Sequence, residues 1–274
     1  MLHVLTLNWN GKARISDLNK SMANLDMPEY IWHIKDNGSI DGSIDEINSW
    51  GNKNINIIKT GHNNDTFAYG TNICFNTASP KDNDYVLLLN NDIIFNKKDD
   101  IKNMINILDQ GVGIVGAKLM YKNTNTIQHN GVVFDKKYSL PVHYGVNMQD
   151  SLDMSKSREF QAVTGAVMMM KAETFRNIHN TNKSKNKGLD EDFIWCYEDI
   201  AACISVKYHL GKKIVCYSGS NISHEESASL KINPINRLFL GKNIQTMHLK
   251  YKHLYKIDRE LYDNVNYNLF KEVR

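Results

Sequence analysis

The sequence predicts an α/β protein built on a doubly wound, Rossmann-like, mostly parallel sheet flanked by helices, with a helical C-terminal segment. Three observations carry that expectation. Strand-like and helix-like patterns alternate from residue 3 to residue 89. Tyr85-Val86-Leu87-Leu88-Leu89 is an apolar run of strand length, as expected for a strand buried on both faces, and it ends abruptly in Asn90-Asn91-Asp92. Polar turns containing Gly follow the first two strands in matching positions, as Asn8-Trp9-Asn10-Gly11 and as Asp36-Asn37-Gly38-Ser39.

The elements follow in order. His3 to Leu7 reads as a strand, and Lys12 to Leu25 as a helix with apolar residues at 15, 18, 22 and 25. Tyr30 to Lys35 is a second strand, Asp41 to Trp50 a short helix and Asn54 to Lys59 a third strand. Phe67 to Ala78 is a helix leading into the buried strand at Tyr85. Val112 to Met120, Thr126 to Phe134 and Phe160 to Met170 read as strands, with an irregular excursion over 136–156. A Lys-rich polar loop over 180–187 precedes a helix from Trp195 to His209 and a strand from Lys213 to Tyr217. From Pro234 onward the chain is expected to be helical. The expected division is a sheet domain over 1–233, with a nucleotide-binding half at 1–92 and a second half at 93–233, followed by the helical segment 234–274.

Composition is that of an ordinary globular protein, 42% hydrophobic and 23% charged over 274 residues. No apolar run approaches the roughly 20 residues that span a bilayer, and the N-terminus has no signal-peptide pattern. Cys74, Cys196, Cys203 and Cys216 form no CxxC pair, and buried free thiols in a reducing cytoplasm are the simplest account. A cytoplasmic protein is expected, peripheral at the inner membrane face if the tail binds lipid. Residues 241–274 carry seven Lys or Arg against four acids, which accounts for the whole net charge of +3. That tail suits packing on the sheet, a homodimer contact or a membrane surface, with packing the default. If it is only a partner or membrane contact, removing 251–274 leaves nucleotide-ligand binding intact. Net +3 is weak electrostatics for a nucleic-acid binder.

A carboxylate at the C-terminal end of a parallel strand stands where open α/β sheets bind ligands. Asp92 is so placed for a divalent cation, with Asn90 or Asn91 orienting a ligand nearby, although the same residues also make an ordinary polar turn. Gly38 and Gly42 permit tight turns and close backbone approach. Asp36, at the end of the second strand, is placed to accept hydrogen bonds from a base or ribose. Glu198 and Asp199 open a helix, where acids are favoured by the helix dipole.

In their order, Asn8-Trp9-Asn10-Gly11, Asp36-Asn37-Gly38-Ser39 with Asp41-Gly42-Ser43, and Leu88-Leu89-Asn90-Asn91-Asp92 resemble the family 2 glycosyltransferases of GT-A fold. So do Val115-Gly116-Ala117-Lys118-Leu119, Thr164-Gly165-Ala166, Tyr197-Glu198-Asp199 and His224. The resemblance is closest to the rhamnosyltransferase-like branch and runs from residue 3 to about residue 250.

It implies an inverting, metal-dependent hexosyl- or deoxyhexosyl-transferase that moves a sugar from a nucleotide-diphosphate donor (a UDP- or dTDP-sugar) to an acceptor hydroxyl. The acceptor it implies is a glycan or lipid-linked precursor in polysaccharide biosynthesis. By position, Thr6, Asn8, Asp36, Asn64, Phe67, Asn72, Asn90 and Asn91 are assigned to the donor and nucleotide, and Asp92 and His224 to Mn²⁺ or Mg²⁺. Asp199 is assigned as base, with Glu198 as runner-up. Thr164, Gly165 and Trp195 are assigned to the acceptor. Asn90 stands where many relatives carry Asp, Ala201 and Ser205 where they carry an acid and an Arg, and Asp65-Thr66 where they favour Gly. The alternatives are a transferase acting on a modified nucleic-acid base or a protein, and a catalytically degenerate nucleotide-sugar-binding module.

Overall fold

The protein is described from a computed structural model, which covers residues 1–59, 66–179, 188–194, 196–225 and 236–258. The sheet begins as the alternation predicts: β1 (Leu2–Asn8), α1 (Lys12–Met22), β2 (Tyr30–Asp36), α2 (Ser43–Ser49), β3 (Ile55–Lys59), α3 (Phe67–Ala78) and β4 (Tyr85–Leu89). Next come β5 (Ile93–Phe95), α4 (Asp100–Leu108), β6 (Ile114–Tyr121), β7 (Ile127–His129), β8 (Val132–Phe134), β9 (Pro141–His143), β10 (Arg158–Phe160) and β11 (Val167–Lys171). The remaining elements are α5 (Ala172–Arg176), α6 (Glu198–Tyr208), β12 (Ile214–His224) and α7 (Asn236–Tyr251).

One ten-stranded sheet runs β10-β12-β6-β11-β4-β1-β2-β3, with β5 on β12 and β7 on β6, and β8 and β9 form a separate pair. Six strands (β1 to β4, β6 and β12) share one direction, so their C-terminal ends lie along one edge. Alternate side chains enter two cores. Val86 and Leu88 pack with α3, α5 and α6, while Leu87 and Leu89 pack with α1 and α4. Burial on both faces is why the Tyr85 strand reads as an unbroken apolar run.

The departures from the sequence expectation have local causes. The strand expected over 126–134 breaks into β7 and β8 at Asn130-Gly131, where Gly131 has φ 105°. There the Asn130 amide is buried, donating to the Met154 carbonyl (2.9 Å) and accepting from Ser218 Oγ (2.6 Å). The strand expected over 160–170 becomes β10 and β11, separated by the turn that carries Thr164 and Gly165. The strand expected at 213–217 continues to His224 through a bulge between Tyr217 and Ile222. Helix α4 and strand β5 fill a stretch that has no assignment from sequence.

Helix α7 packs on the chain's own core, burying Asn243, Met247 and Tyr251. Among the described residues no helix is long and apolar enough to cross a membrane. Cys74, Cys203 and Cys216 are buried free thiols, and Cys196 is partly buried.

Candidate active site

The parallel strands β1, β2, β4 and β12 end at Asn8, Asp36, Leu89 and His224, so four functional segments meet at one sheet edge. At its β1–β2 end lies an amide–carboxylate network. Asn91 Nδ2 donates to Asn8 Oδ1 (2.9 Å), and Asn8 Nδ2 donates to Asp36 Oδ1 (3.3 Å) and Ser39 Oγ (3.2 Å). Asp36 also accepts from the backbone N–H groups of Gly38 (3.0 Å) and Ser39 (2.8 Å) and from Ser39 Oγ (2.6 Å). Four hydrogen bonds fill the acceptor capacity of its carboxylate. Asp36 thus shapes its own loop in this structure. Gly11 is required beneath the network, since a Cβ there would lie 2.4 Å from Asn91 Nδ2 and 2.6 Å from Asn8 Oδ1.

The assigned donor residues fall into two layers. Asn90, Asn91 and Phe67 are partly exposed along the edge, while Thr6, Asn8, Asp36 and Asn72 are buried behind it. Thr6 Oγ1 accepts the Trp32 indole N–H (2.9 Å). Asn72 pins α3 to the segment before α6. Its amide donates to the Leu189 carbonyl (2.9 Å) and Glu191 Oε1 (2.8 Å) and accepts from the Leu189 N–H (2.9 Å). Asn64 and Trp195 lie outside the described residues.

Asp92 follows β4, and pairing of β5 with β12 sets His224 opposite Ile93, which brings the two side chains together. His224 Nε2 lies 3.1 Å from Asp92 Oδ1 and 3.5 Å from Asn90 Nδ2. His224 Nδ1 lies 2.7 Å from Gln128 Oε1. Asp92 Oδ1 is buried and makes no hydrogen bond. A buried carboxylate oxygen left in that state beside an imidazole nitrogen suits a divalent cation. Among the described residues no third His, Cys, Asp or Glu joins the pair. Further oxygen ligands would therefore come from a bound diphosphate and water, as is usual for Mg²⁺.

The second half of the site holds the acids of α6. Backbone N–H of Asn90 donates to the Ala166 carbonyl (2.9 Å), which ties the Asp92 turn to the Thr164-Gly165 turn. Gly165 N–H in turn donates to Asp199 Oδ2 (2.7 Å), and Ile200 N–H to Asp199 Oδ1 (2.8 Å). A Cβ on Gly165 would sit 3.1 Å from Asp199 Cβ and 3.4 Å from Phe67 Cε1, so these three residues converge. Cys196 (φ 61°) and Tyr197 (φ 73°) are both left-handed immediately before the helix, a strained entry that aims the two acids.

Burial, opposed by the two backbone N–H groups, raises the pKa of Asp199 above the usual carboxylate range. Burial and the adjacent Asp199 push Glu198 up to about 8. Glu198 Oε2 is buried without a hydrogen bond, whereas Asp199 is partly exposed and held at both oxygens. The folded state therefore keeps a proton on Glu198 that the unfolded chain loses near the ordinary value of 4.5. Stability should fall as pH rises from about 4.5 to about 8 and then level off. Urea unfolding should show wild type losing stability over that window and Glu198→Gln losing much less. Equal losses in both proteins would refute the assignment.

Ala201 and Ser205 are buried against the core, where a lone charge would lack a partner. Loss of the acid and the Arg together is self-consistent, and Ser205 Oγ instead accepts the His179 N–H (2.7 Å).

Sequence reasoning placed β7 within a longer strand but did not assign Gln128 or His129 to the site. Buried His129 Nε2 accepts the N–H groups of Gly131 (3.2 Å) and Thr164 (3.3 Å), and so supports the Thr164-Gly165 turn. The available signal was the polar run Gln128-His129-Asn130 between Ile127 and the apolar Val132-Val133-Phe134.

The glycosyl transferase family 2 profile matches residues 4–180. The chain belongs to that family. No curated protein sequence matches it. Among solved structures, S. aureus TarS 1-349 in complex with UDP-GlcNAc is 14% identical, with TM-score 0.58, covering 91% of this chain and 67% of that one. Mannosyltransferase PcManGT from Pyrobaculum calidifontis, in complex with GDP-Man and Mn²⁺, is 11% identical with TM-score 0.62, covering 96% and 67%. GalNAc-T7 with UDP, GalNAc and Mn²⁺ is 12% identical with TM-score 0.65, covering 100% of this chain and 53% of that one. The family 2 chain thus has the GT-A fold of these proteins and spans about two thirds of TarS 1-349 (64% in its complex-free structure).

Proposed function

We propose that this family 2 protein is an inverting glycosyltransferase that moves a sugar from a UDP- or dTDP-sugar to an acceptor hydroxyl on a glycan or lipid-linked precursor. One observation carries the reading. The Asp92–His224 pair and the carboxylate of Asp199 are brought to one sheet edge, because the Asn90 N–H to Ala166 hydrogen bond joins the turn of Asp92 to the turn whose Gly165 N–H fixes Asp199. An anion site beside a base is what displacement of a diphosphate by a hydroxyl requires.

Asn90, Asn91 and Phe67 face the donor, and the buried Asn8–Asp36 network holds the first two loops in register behind it. Asp92 and His224 would hold Mn²⁺ or Mg²⁺, which when bound offsets the charge gathering on the leaving diphosphate. Asp199 takes the proton of the acceptor hydroxyl as it attacks the anomeric carbon from the face opposite the nucleotide. Its raised pKa makes it a stronger base than an exposed carboxylate. The turn of Thr164 and Gly165 lies beside that acid, where the acceptor would bind.

The test is calorimetric titration of UDP- and dTDP-sugars with and without Mn²⁺, on wild type and Asp92→Ala. Wild type should bind one donor in a Mn²⁺-dependent manner. Asp92→Ala should lose at least the ~10–100-fold in affinity typical of weaker, outer-shell changes at metal sites. Absence of binding to every donor by folded wild-type protein would sink the proposal, and binding without turnover would leave only a nucleotide-sugar-binding module.

A further inference from the structure

We propose that Gln128 is a positioning residue that fixes the tautomer of His224, so that Nε2 presents a lone pair, not a proton, to Asp92. The inference rests on the metal reading above and extends it to a strand outside the motifs that identified the site. Gln128 is buried at 2% exposure in β7, at the register shift where Leu119 pairs with His129 and Met120 with Ile127. The shift lets the Gln side chain reach across β6 toward the end of β12.

Three contacts agree on where the proton sits. Gln128 Oε1 is 2.7 Å from His224 Nδ1, and a carbonyl oxygen can only accept, so Nδ1 carries the hydrogen. In the neutral ring Nε2 is then an acceptor, and the group 3.5 Å from it is the Asn90 amide nitrogen, a donor. Asp92 Oδ1 lies 3.1 Å from the same nitrogen but out of hydrogen-bond alignment, so it does not hold a proton on Nε2. A cation shared by Nε2 and Asp92 Oδ1 would take up the lone pair that this tautomer leaves on Nε2. Imidazole ligands are commonly oriented in this way by a hydrogen bond at the other ring nitrogen.

The reversed Gln128 amide is the competing arrangement. It would donate to Nδ1, move the proton to Nε2 and close the Asp92–His224 pair with its own hydrogen bond. The cost of the observed orientation is that Gln128 Nε2 is buried without a partner. Leu at this position removes that orphan donor, so the variant should fold.

Two readouts separate this proposal from the metal reading. The first is the tautomer of His224 in metal-free, ¹⁵N-labelled protein, read by long-range ¹H–¹⁵N correlation at alkaline pH, with His224→Ala assigning the signal. The second is titration with MnCl₂ in the presence of UDP. Wild type should show the Nδ1–H form. Gln128→Leu should lose that preference and bind Mn²⁺ about 10–100-fold more weakly. Gln128→Glu, which also accepts from Nδ1, should retain the tautomer and bind within a few-fold of wild type. An Nε2–H ring in wild type, or a Gln128→Leu protein unchanged in tautomer and affinity, overturns the proposal. If the tautomer responds to Gln128→Leu while wild type binds no Mn²⁺, the metal reading fails and the role of Gln128 stands.

Discussion

Asp199→Asn is expected to lower kcat by about 10²- to 10⁴-fold, the range over which a positioned general base acts, while donor affinity changes only a few-fold. The geometry favours Asp199 over its neighbour. It is the partly exposed member of the pair, and each of its oxygens is fixed by a backbone N–H, from Gly165 at 2.7 Å and from Ile200 at 2.8 Å. Those bonds hold the carboxylate against Gly165, in the turn that connects to Asp92. Asn has one acceptor oxygen where the carboxylate has two, so the variant also leaves one N–H facing an amide group, at a cost of about 1–3 kcal/mol in stability. Thermal unfolding measures that cost separately from the chemistry.

The pH dependence is a further check. The limb of kcat/KM that reports ionisation of Asp199 should vanish in the variant's residual activity. Glu198→Gln removes a buried group with one unpaired oxygen and should keep kcat within about tenfold, less than a missing base would cost. An inactive Glu198→Gln protein beside an active Asp199→Asn protein would reverse the assignment.

How far the sequence could be read depended on how local each signal was. β1 through β4 and their helices follow from period and turn chemistry because each element is bounded by its own Gly, Asn or Asp cluster. The Asp92 turn was legible because an unbroken apolar strand points directly at it. The adjacency of His224 to Asp92 arises instead from β5 pairing with β12 and from a bulge, neither of which leaves a period in the sequence. The family resemblance supplied that residue where periodicity could not. The breaks at Asn130-Gly131 and at Thr164-Gly165 lie inside stretches that read as continuous strand, so the supporting role of β7 was hidden. Thr6 and Asn72 show the converse limit. Position along the chain set them among the donor residues, but their polar atoms are committed to Trp32 and to the 189–191 segment.

A chain ending at residue 235 is expected not to fold, whereas one ending at 258 should fold and bind donor as the full chain does. The tail was expected from sequence to pack on the sheet or to contact a partner or a membrane, and the buried face of α7 makes its packing a structural necessity. Tyr251 lies near Phe193, and Tyr255 stacks on Phe134 at 4.0 Å between ring centroids. Removal of a buried aromatic costs about 3–5 kcal/mol. Lys250 pairs with Asp190 at 2.9 Å, and that carboxylate is 1% exposed, so loss of the lysine strands a buried charge at a further cost of about 3–5 kcal/mol. Asp258 accepts from the Phe134 N–H (3.0 Å) and from Gln161 Nε2 (2.6 Å), which closes the chain over β8. Together these losses match the whole stability of a typical domain, about 5–15 kcal/mol. They are also linked to the site, because Asn243 accepts the Ile194 N–H (3.3 Å) and donates to the Cys196 carbonyl (3.4 Å), two residues before Glu198. α7 thereby holds the left-handed entry that aims the acids. Ending the chain at 250 should already lower the urea midpoint steeply, since Tyr251, Tyr255 and Asp258 all go. A cooperative urea transition at an unchanged midpoint in the 235-residue chain would show that the sheet stands without α7.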